Sequence, residues 1–400
     1  MEKIYPVLIG ADLNCYSVAR AFHEKYGVVS YAFGKVPIGH TMNSRIVRFC
    51  KVEDIDDETV MMRVLADFAA SHSDGKRFLF GCTDEYAEAI IRHRDELSAD
   101  YFCNCCDLDL AEKLLFKESF YGMCDRFSID HPKTAVVECG GSLPDDLPFD
   151  FPIIVKPSSS ILYWRHPFDG MKKVYKAENR EEAAEIIGKI FGSGYPDSII
   201  LQDFIPGGDD RMYVLTSYSG ADGKVKRMCL GHVMLEEHSP KARGNHAAII
   251  TEFREDLLET AKGFLESVGY RGFSNFDIKF DERDGKFKFF EINLRQGRSN
   301  YYVTSSGQNI AEAVVLDSEG KLSGCEMQRN AFFWHTVPRG VIYKYTADKS
   351  AVKTAKALSK KGRRASALYY RYDLCMNPKR AFFVNVHNFR YFKKYRLYKI

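Results

Sequence analysis

Two stretches close together in the chain restrict its possible folds and functions more than any others. Asn275-Phe276-Asp277-Ile278-Lys279 and Phe289-Phe290-Glu291-Ile292-Asn293-Leu294-Arg295 read as neighbouring strands, joined by the turn sequence Asp281-Glu282-Arg283-Asp284-Gly285. Side chains two apart on a strand share a face, so Glu291, Asn293 and Arg295 converge on one side, while Phe276, Ile278 and Phe280 share the face opposite Asp277 and Lys279. Charge inside an otherwise apolar sheet is costly unless something binds there. Oxygen donors of the Asp277, Glu291 and Asn293 type suit Mg²⁺, which is held by a few carboxylates together with substrate phosphates. Arg295 and Arg298 add forks that fit phosphate or carboxylate. The other reading is a plain hairpin with one solvated face.

Four hundred residues at 45% hydrophobic content can bury several cores, and the length suggests about two or three domains. The short apolar run at the N-terminus ends in a glycine turn, so it reads as neither a signal peptide nor a membrane span, and a cytoplasmic protein is expected. Eleven cysteines, an odd number, point to reduced thiols rather than a disulfide framework. Cys103, Cys105 and Cys106 cluster, but no second pair at metal spacing accompanies them.

The formal charge of +3 hides an asymmetry. The last fifty residues carry fourteen Lys and Arg against one acid, Asp373, which leaves the first 350 at −10. Ten of those fifty are Phe or Tyr. A cationic, aromatic tail suits an anionic surface, either nucleic acid or acidic lipid headgroups. Alternatively it is a basic helix that packs an aromatic stripe on the body of the protein.

Along the chain, Tyr5-Pro6-Val7-Leu8-Ile9-Gly10 reads as a buried strand that turns through Asp12 and Asn14 into a helix. Arg77-Phe78-Leu79-Phe80-Gly81-Cys82 repeats the pattern, with Thr83 and Asp84 at the next helix start. Strand-helix alternation predicts a parallel α/β sheet, with Gly10, Asp12, Asn14 and Asp84 at its ligand-facing end. The absence of Gly-x-Gly-x-x-Gly argues against a dinucleotide site. Phe151-Pro152-Ile153-Ile154-Val155-Lys156-Pro157 is a strand carrying a lysine, followed by a serine-rich loop. Gln202-Asp203-Phe204-Ile205-Pro206-Gly207 is a strand entering a bend, and several further sheet segments lie between 212 and 294.

The ordered set Lys117, Val155-Lys156-Pro157, Gln202-Asp203-Phe204-Ile205, Asp277 and Glu291-Ile292-Asn293 resembles the ATP-grasp superfamily of carboxylate-amine ligases. Within it, the runs Cys229-Leu230-Gly231-His232, Gly272-Phe273-Ser274-Asn275-Phe276-Asp277 and Phe290 through Ser299 are similar to D-aspartate ligases of peptidoglycan cross-bridge synthesis. The resemblance implies an α/β (α+β) ATP-grasp fold. Its expected parts are an N-terminal α/β domain (1–109), a lid subdomain (110–205), a catalytic subdomain (206–330) and a basic C-terminal extension (331–400).

It further implies that Lys117 and Lys156 contact ATP phosphates, that the backbone of Gln202, Asp203, Phe204 and Ile205 borders adenine, and that Asp209, or Asp210 beside it, meets the ribose. Asp277, Glu291 and Asn293 would hold Mg²⁺, with Arg295 and Lys279 as catalytic groups. Gly10, Asp12, Asn14, Asp84, Arg243 and Arg298 are the expected substrate-facing set. The implied reaction joins a D-amino acid, through the β-carboxylate of D-aspartate, to the lysine ε-amine of a UDP-linked or lipid-linked muropeptide at the inner face of the membrane. The loop after Lys156 departs from the superfamily, because serines replace the usual glycines. His232 reads as a structural histidine, with no carboxylate partner evident. Two rival readings are an ATP-grasp ligase for another amino acid or a natural-product intermediate, and a nucleic-acid-binding protein. No zinc finger or RNA-binding motif supports the latter.

Overall fold

A computed structural model describes residues 2–239 and 242–398. The chain forms two compact units, one of residues 1–116, 208–278 and 291–400 and one of residues 117–207 and 279–290. In the first unit a four-stranded parallel sheet runs in the order Val47–Lys51, Ser30–Gly34, Lys3–Ile9, Gly75–Gly81. Val7, Leu8 and Ile9 are fully buried, as a strand covered on both faces requires. Gly10, at φ +138°, turns the chain into the helix Leu13–Tyr26, and a Cβ there would sit 2.9 Å from that of Cys82. Only glycine meets both demands. Asp12 caps this helix by accepting from the Cys15 N–H, and Thr83 caps the helix Asp84–Arg92 in the same way.

A larger sheet carries Gly272–Asp281 and Lys286–Asn293 at one end, followed by Met212–Ser219, Val225–Glu236, His246–Glu252, Phe333–His335 and Arg364–Ser366. The last seventy residues are part of the first unit rather than a detached tail. Val341, Ile342, Ala355, Tyr391 and Tyr395 share a buried cluster with Met234, Ala248 and Phe333.

Asp373, the single acid of the final fifty residues, is a fully buried hub. It accepts from Tyr16 Oη at 2.8 Å, Ser44 Oγ at 3.0 Å, the Arg45 N–H at 2.6 Å and Arg380 Nε at 3.1 Å. Arg380, also fully buried, donates through Nη1 to the carbonyls of Gly39 and Met42. Removing one partner strands the other's charge in the core. Asp373→Ala is therefore expected to lower stability by about 3–5 kcal/mol, read as a shifted midpoint in urea unfolding.

In the second unit an antiparallel sheet has the order Thr134–Val137, Ile199–Asp203, Ile153–Pro157, Tyr175–Ala177, backed by the helix Arg180–Gly192. The serine run expected to be a loop is instead capped by Ser159, which opens a short helix, Ser160–Trp164. Ser159 Oγ accepts from the Leu162 N–H, so a residue type read as loop-forming starts a helix turn. Among the described residues no helix is long and apolar enough to cross a membrane.

Candidate functional site

The first unit gathers the expected acidic and amide donors. Asp277 lies on Gly272–Asp281, with Glu291 and Asn293 on Lys286–Asn293. Asn293 Nδ2 lies 3.4 Å from Asp277 Oδ2 and 3.3 Å from the Asn275 carbonyl. Burial pushes the Asp277 carboxyl well above the usual range, and the adjoining Glu291 carboxylate pushes it further. Two neighbouring carboxyls, both only half-exposed at most, are a poor arrangement unless a proton or a cation lies with them. This donor set fits a hard divalent ion. Two carboxylates and an amide match the sparse protein ligation of Mg²⁺, and no group of three His, Cys, Asp or Glu able to hold a metal is found among the described residues. The thiols of Cys103 and Cys106 are pushed up to about 11 and about 12 by burial, which keeps them protonated.

Arg295, just past its strand, links this pair to the end of the parallel sheet. Its Nε lies 2.7 Å from Asp84 Oδ1 and its Nη1 donates to the Gln296 carbonyl at 3.1 Å. Burial works against its charge, while Asp84, Asp277 and Asp12 sustain it. Asp12 is raised by burial and drawn back by Arg298 and Arg295. The structure thus brings Asp12, Asp84, Arg295 and Arg298 together in one electrostatic neighbourhood.

Asn14, expected to face substrate, has a different task. It is fully buried, donating to the carbonyls of Cys82 and Gln296 and accepting from Asn300 Nδ2. Its position in the first helical turn points it into the body of the unit, a distinction that the local sequence does not carry.

Arg298 has partners that the sequence reading missed. Its Nη2 donates to Glu237 Oε1 at 3.1 Å, and Tyr391 Oη donates to the same oxygen at 3.2 Å. Arg298 Nη1 is buried with no hydrogen-bond partner among the described residues, so the guanidinium retains a donor for a ligand. Arg243 is exposed in the turn between Val225–Glu236 and His246–Glu252. Asp209 Oδ2 accepts from the Glu236 N–H and lies 3.1 Å from His238 Nε2.

His232 does have a carboxylate partner, contrary to expectation. Its Nδ1 is 2.9 Å from Glu252 Oε1 and its Nε2 is 2.8 Å from the Asp210 carbonyl. Burial lowers its pKa, but these two acceptors outweigh burial and raise it. With both nitrogens engaged, and its ring stacked on Tyr213 at 4.5 Å, it is a brace between strands.

The second unit holds the remaining candidates. Lys156 Nζ donates to Gln202 Oε1 at 2.9 Å, Gln202 Nε2 donates to Tyr121 Oη at 2.9 Å, and Tyr121 Oη donates to the Phe290 carbonyl at 2.9 Å. Lys117 is half-buried at the start of the helix Lys117–Arg126, which also carries Tyr121. Asp203 pairs with Arg283. Lys279 donates to the carbonyls of Ile205 and Gly207 at 2.8 and 2.9 Å, which fastens it to the bend after Gln202–Ile205. Its ammonium and that of Lys176 lie 5.7 and 4.5 Å from the centre of the Phe204 ring. Tyr121 was missed because nothing in its own neighbourhood of the sequence marks it.

No family model matches the chain. It is 37% identical over 385 residues to a D-aspartate ligase of Enterococcus faecium (strain Aus0004), covering 93% of this chain and 91% of that one. Among solved structures it is similar to N5-carboxyaminoimidazole ribonucleotide synthetase from Thermus thermophilus, with a TM-score of 0.58 at 16% identity over 84% of this chain and 83% of that one. The biotin carboxylase domain of Hydrogenobacter thermophilus 2-oxoglutarate carboxylase, solved with MgADP, ADP and bicarbonate, gives 0.58 at 14% identity over 82% and 73%. These structural likenesses show the ATP-grasp fold.

Proposed function

Since the chain belongs to the D-aspartate ligase family, and is thereby an ATP-dependent carboxylate-amine ligase, we propose that it activates the β-carboxylate of D-aspartate and joins it to the lysine ε-amine of a peptidoglycan precursor. A carboxylate is a poor electrophile. Its oxygen takes the γ-phosphoryl group of ATP, ADP departs, and the acyl phosphate is attacked by the amine, which loses a proton as inorganic phosphate leaves. No protein nucleophile is needed, in keeping with a site of lysines, arginines and carboxylates.

The observation that carries this reading is the half-buried Asp277–Glu291 carboxyl pair with Asn293 beside it. These three residues would hold Mg²⁺, which supplies charge neutralisation for the transferring phosphoryl group. Lys117 and Lys156 contact the ATP phosphates, the backbone of Gln202, Asp203, Phe204 and Ile205 borders the adenine, and Asp209 meets the ribose. Lys279 keeps the bend at Ile205 and Gly207 in shape. Arg295 steadies the transferring group. Arg298, with its remaining donor, takes a carboxylate of the amino acid, and Gly10, Asp12 and Asp84 border that substrate.

Tyr121 completes the chain of hydrogen bonds that orients Lys156. Tyr121→Phe leaves the buried Gln202 amide short of a partner, a loss of about 1–3 kcal/mol. Nucleotide affinity is expected to fall about tenfold, measured by titration calorimetry with MgATP.

Phosphate release from MgATP with a panel of D- and L-amino acids, each with and without UDP-linked muropeptide, tests the reaction. Release that requires both D-aspartate and the muropeptide is expected. Release with a different amino acid would keep the chemistry and move the pathway, and no turnover with any pairing would overturn the proposal.

A further inference from the structure

The helix Pro378–Leu397 has two opposite faces. Arg380, Val384, Asn388, Tyr391 and Tyr395 form the buried one, at the three- and four-residue spacing that marks one side of a helix. That face is already satisfied, through the Asp373 pair, the Tyr391 bond to Glu237 and the Tyr395 hydroxyl on the Glu236 carbonyl.

The far side lies outside the core, yet it carries large apolar groups. Phe382 is 72%, Phe389 76% and Leu397 63% exposed. Exposed Lys379, Arg390, Lys393 and Arg396 are interleaved with them on that side, and the helix contains no acid. Twenty residues make a stripe about 30 Å long. Scattered surface hydrophobics are ordinary, but rings and cations sharing one stripe are the pattern of a helix that lies in a lipid interface.

We propose that this outer stripe docks on an anionic phospholipid surface, with Phe382, Phe389 and Leu397 entering the headgroup boundary and the four cations meeting lipid phosphates. The charge distribution supports that occupant. The first 350 residues sum to −10, while this helix carries six Lys and Arg and no acid, so a negative surface repels the rest of the chain and attracts the helix. A single convex helix also lacks the groove that tracks a nucleic-acid backbone. With cations along its length, the helix lies on the surface and does not cross it. The inference stands apart from the identity of the ligase substrates.

The test is co-sedimentation of the full chain with vesicles of phosphatidylcholine alone or mixed with phosphatidylglycerol. Point substitutions are needed because deleting residues after 340 would remove Tyr391 and Tyr395 from the core. Wild type is expected to pellet with the anionic vesicles and to stay in solution with phosphatidylcholine, and salt should weaken the binding. Phe382→Ser with Phe389→Ser, and separately Arg390→Glu with Lys393→Glu and Arg396→Glu, should each lower partitioning at least about tenfold. Circular dichroism and urea midpoint should match wild type in both variants, since the inner face is untouched. Equal pelleting of wild type and both variants, or no pelleting with anionic vesicles, would overturn the proposal. So would tighter binding to a single-stranded RNA homopolymer than to the vesicles.

Discussion

Glu291→Gln is expected to abolish ligation while making the metal-free protein more stable. The variant keeps the shape of the side chain but removes the carboxylate that adjoins Asp277 in this half-buried pair. Loss of a group that would hold the ion at the transferring phosphoryl should lower turnover at least about a thousandfold. Stability should move the other way. The folded Asp277 holds its proton more tightly than the unfolded chain does, because burial and Glu291 raise its pKa. Stability from this residue is therefore fully present below the ordinary carboxylate range and is lost as pH rises toward the raised value. Without the neighbouring charge that loss shrinks, and the metal-free variant gains on the order of 1 kcal/mol at neutral pH. Added Mg²⁺ should stabilise wild type more at alkaline than at mildly acidic pH, because the ion competes with that proton, and should do little for the variant. Melting curves with and without Mg²⁺ read all three effects. Turnover within tenfold of wild type, or a variant less stable than its metal-free parent, would remove the pair from the proposed site.

That Asp277, Glu291 and Asn293 lie together was legible in the sequence because the signal is local. Alternation along two strands joined by a short turn states which side chains share a face. The run Gln202-Asp203-Phe204-Ile205 was similarly legible as a strand entering a bend. What could not be read were partners far apart in the chain. Asp373 gave no sign that it would sit beneath Tyr16 and Ser44, nor Tyr391 that it would meet Glu237 beside Arg298. Periodicity names the buried face of a helix but not the element it packs against. The strand Val47–Lys51 and helix Glu58–Ser71 went unread for a related reason. The strand is only five residues with Arg and Lys within it, an edge pattern that resembles a loop. Composition described both faces of the last helix at once: the packing reading of the tail corresponds to its inner side, while the anionic-surface reading is what we propose for its outer side.

Arg295→Lys is expected to lower kcat by about 10²–10³ and to leave MgATP affinity nearly unchanged. The guanidinium is used as a fork. Its Nε sits 2.7 Å from Asp84 and its Nη1 holds the Gln296 carbonyl, while Asp277 and Asp12 lie close enough to favour its charge. A lysine keeps the charge but is a point on a flexible stem, so it cannot keep Asp84 and Gln296 engaged and still present a donor to a transferring group. The position also has a purely architectural explanation, a buried cation bracing Asp84 at the end of the parallel sheet, and the two explanations diverge in measurement. A brace would show its loss in the urea midpoint, with kcat per folded molecule within tenfold of wild type. A group that steadies the phosphoryl or acyl phosphate shows its loss in kcat, while the KM for ATP hardly moves, because the interaction strengthens only as the bond to the leaving oxygen breaks. Asp84→Asn separates the contributions further. It keeps the shape of the side chain that fixes the fork and removes the charge, so a loss near tenfold would assign Asp84 to orienting Arg295, and a loss as large as that of Arg295→Lys would make the pair a single functional unit.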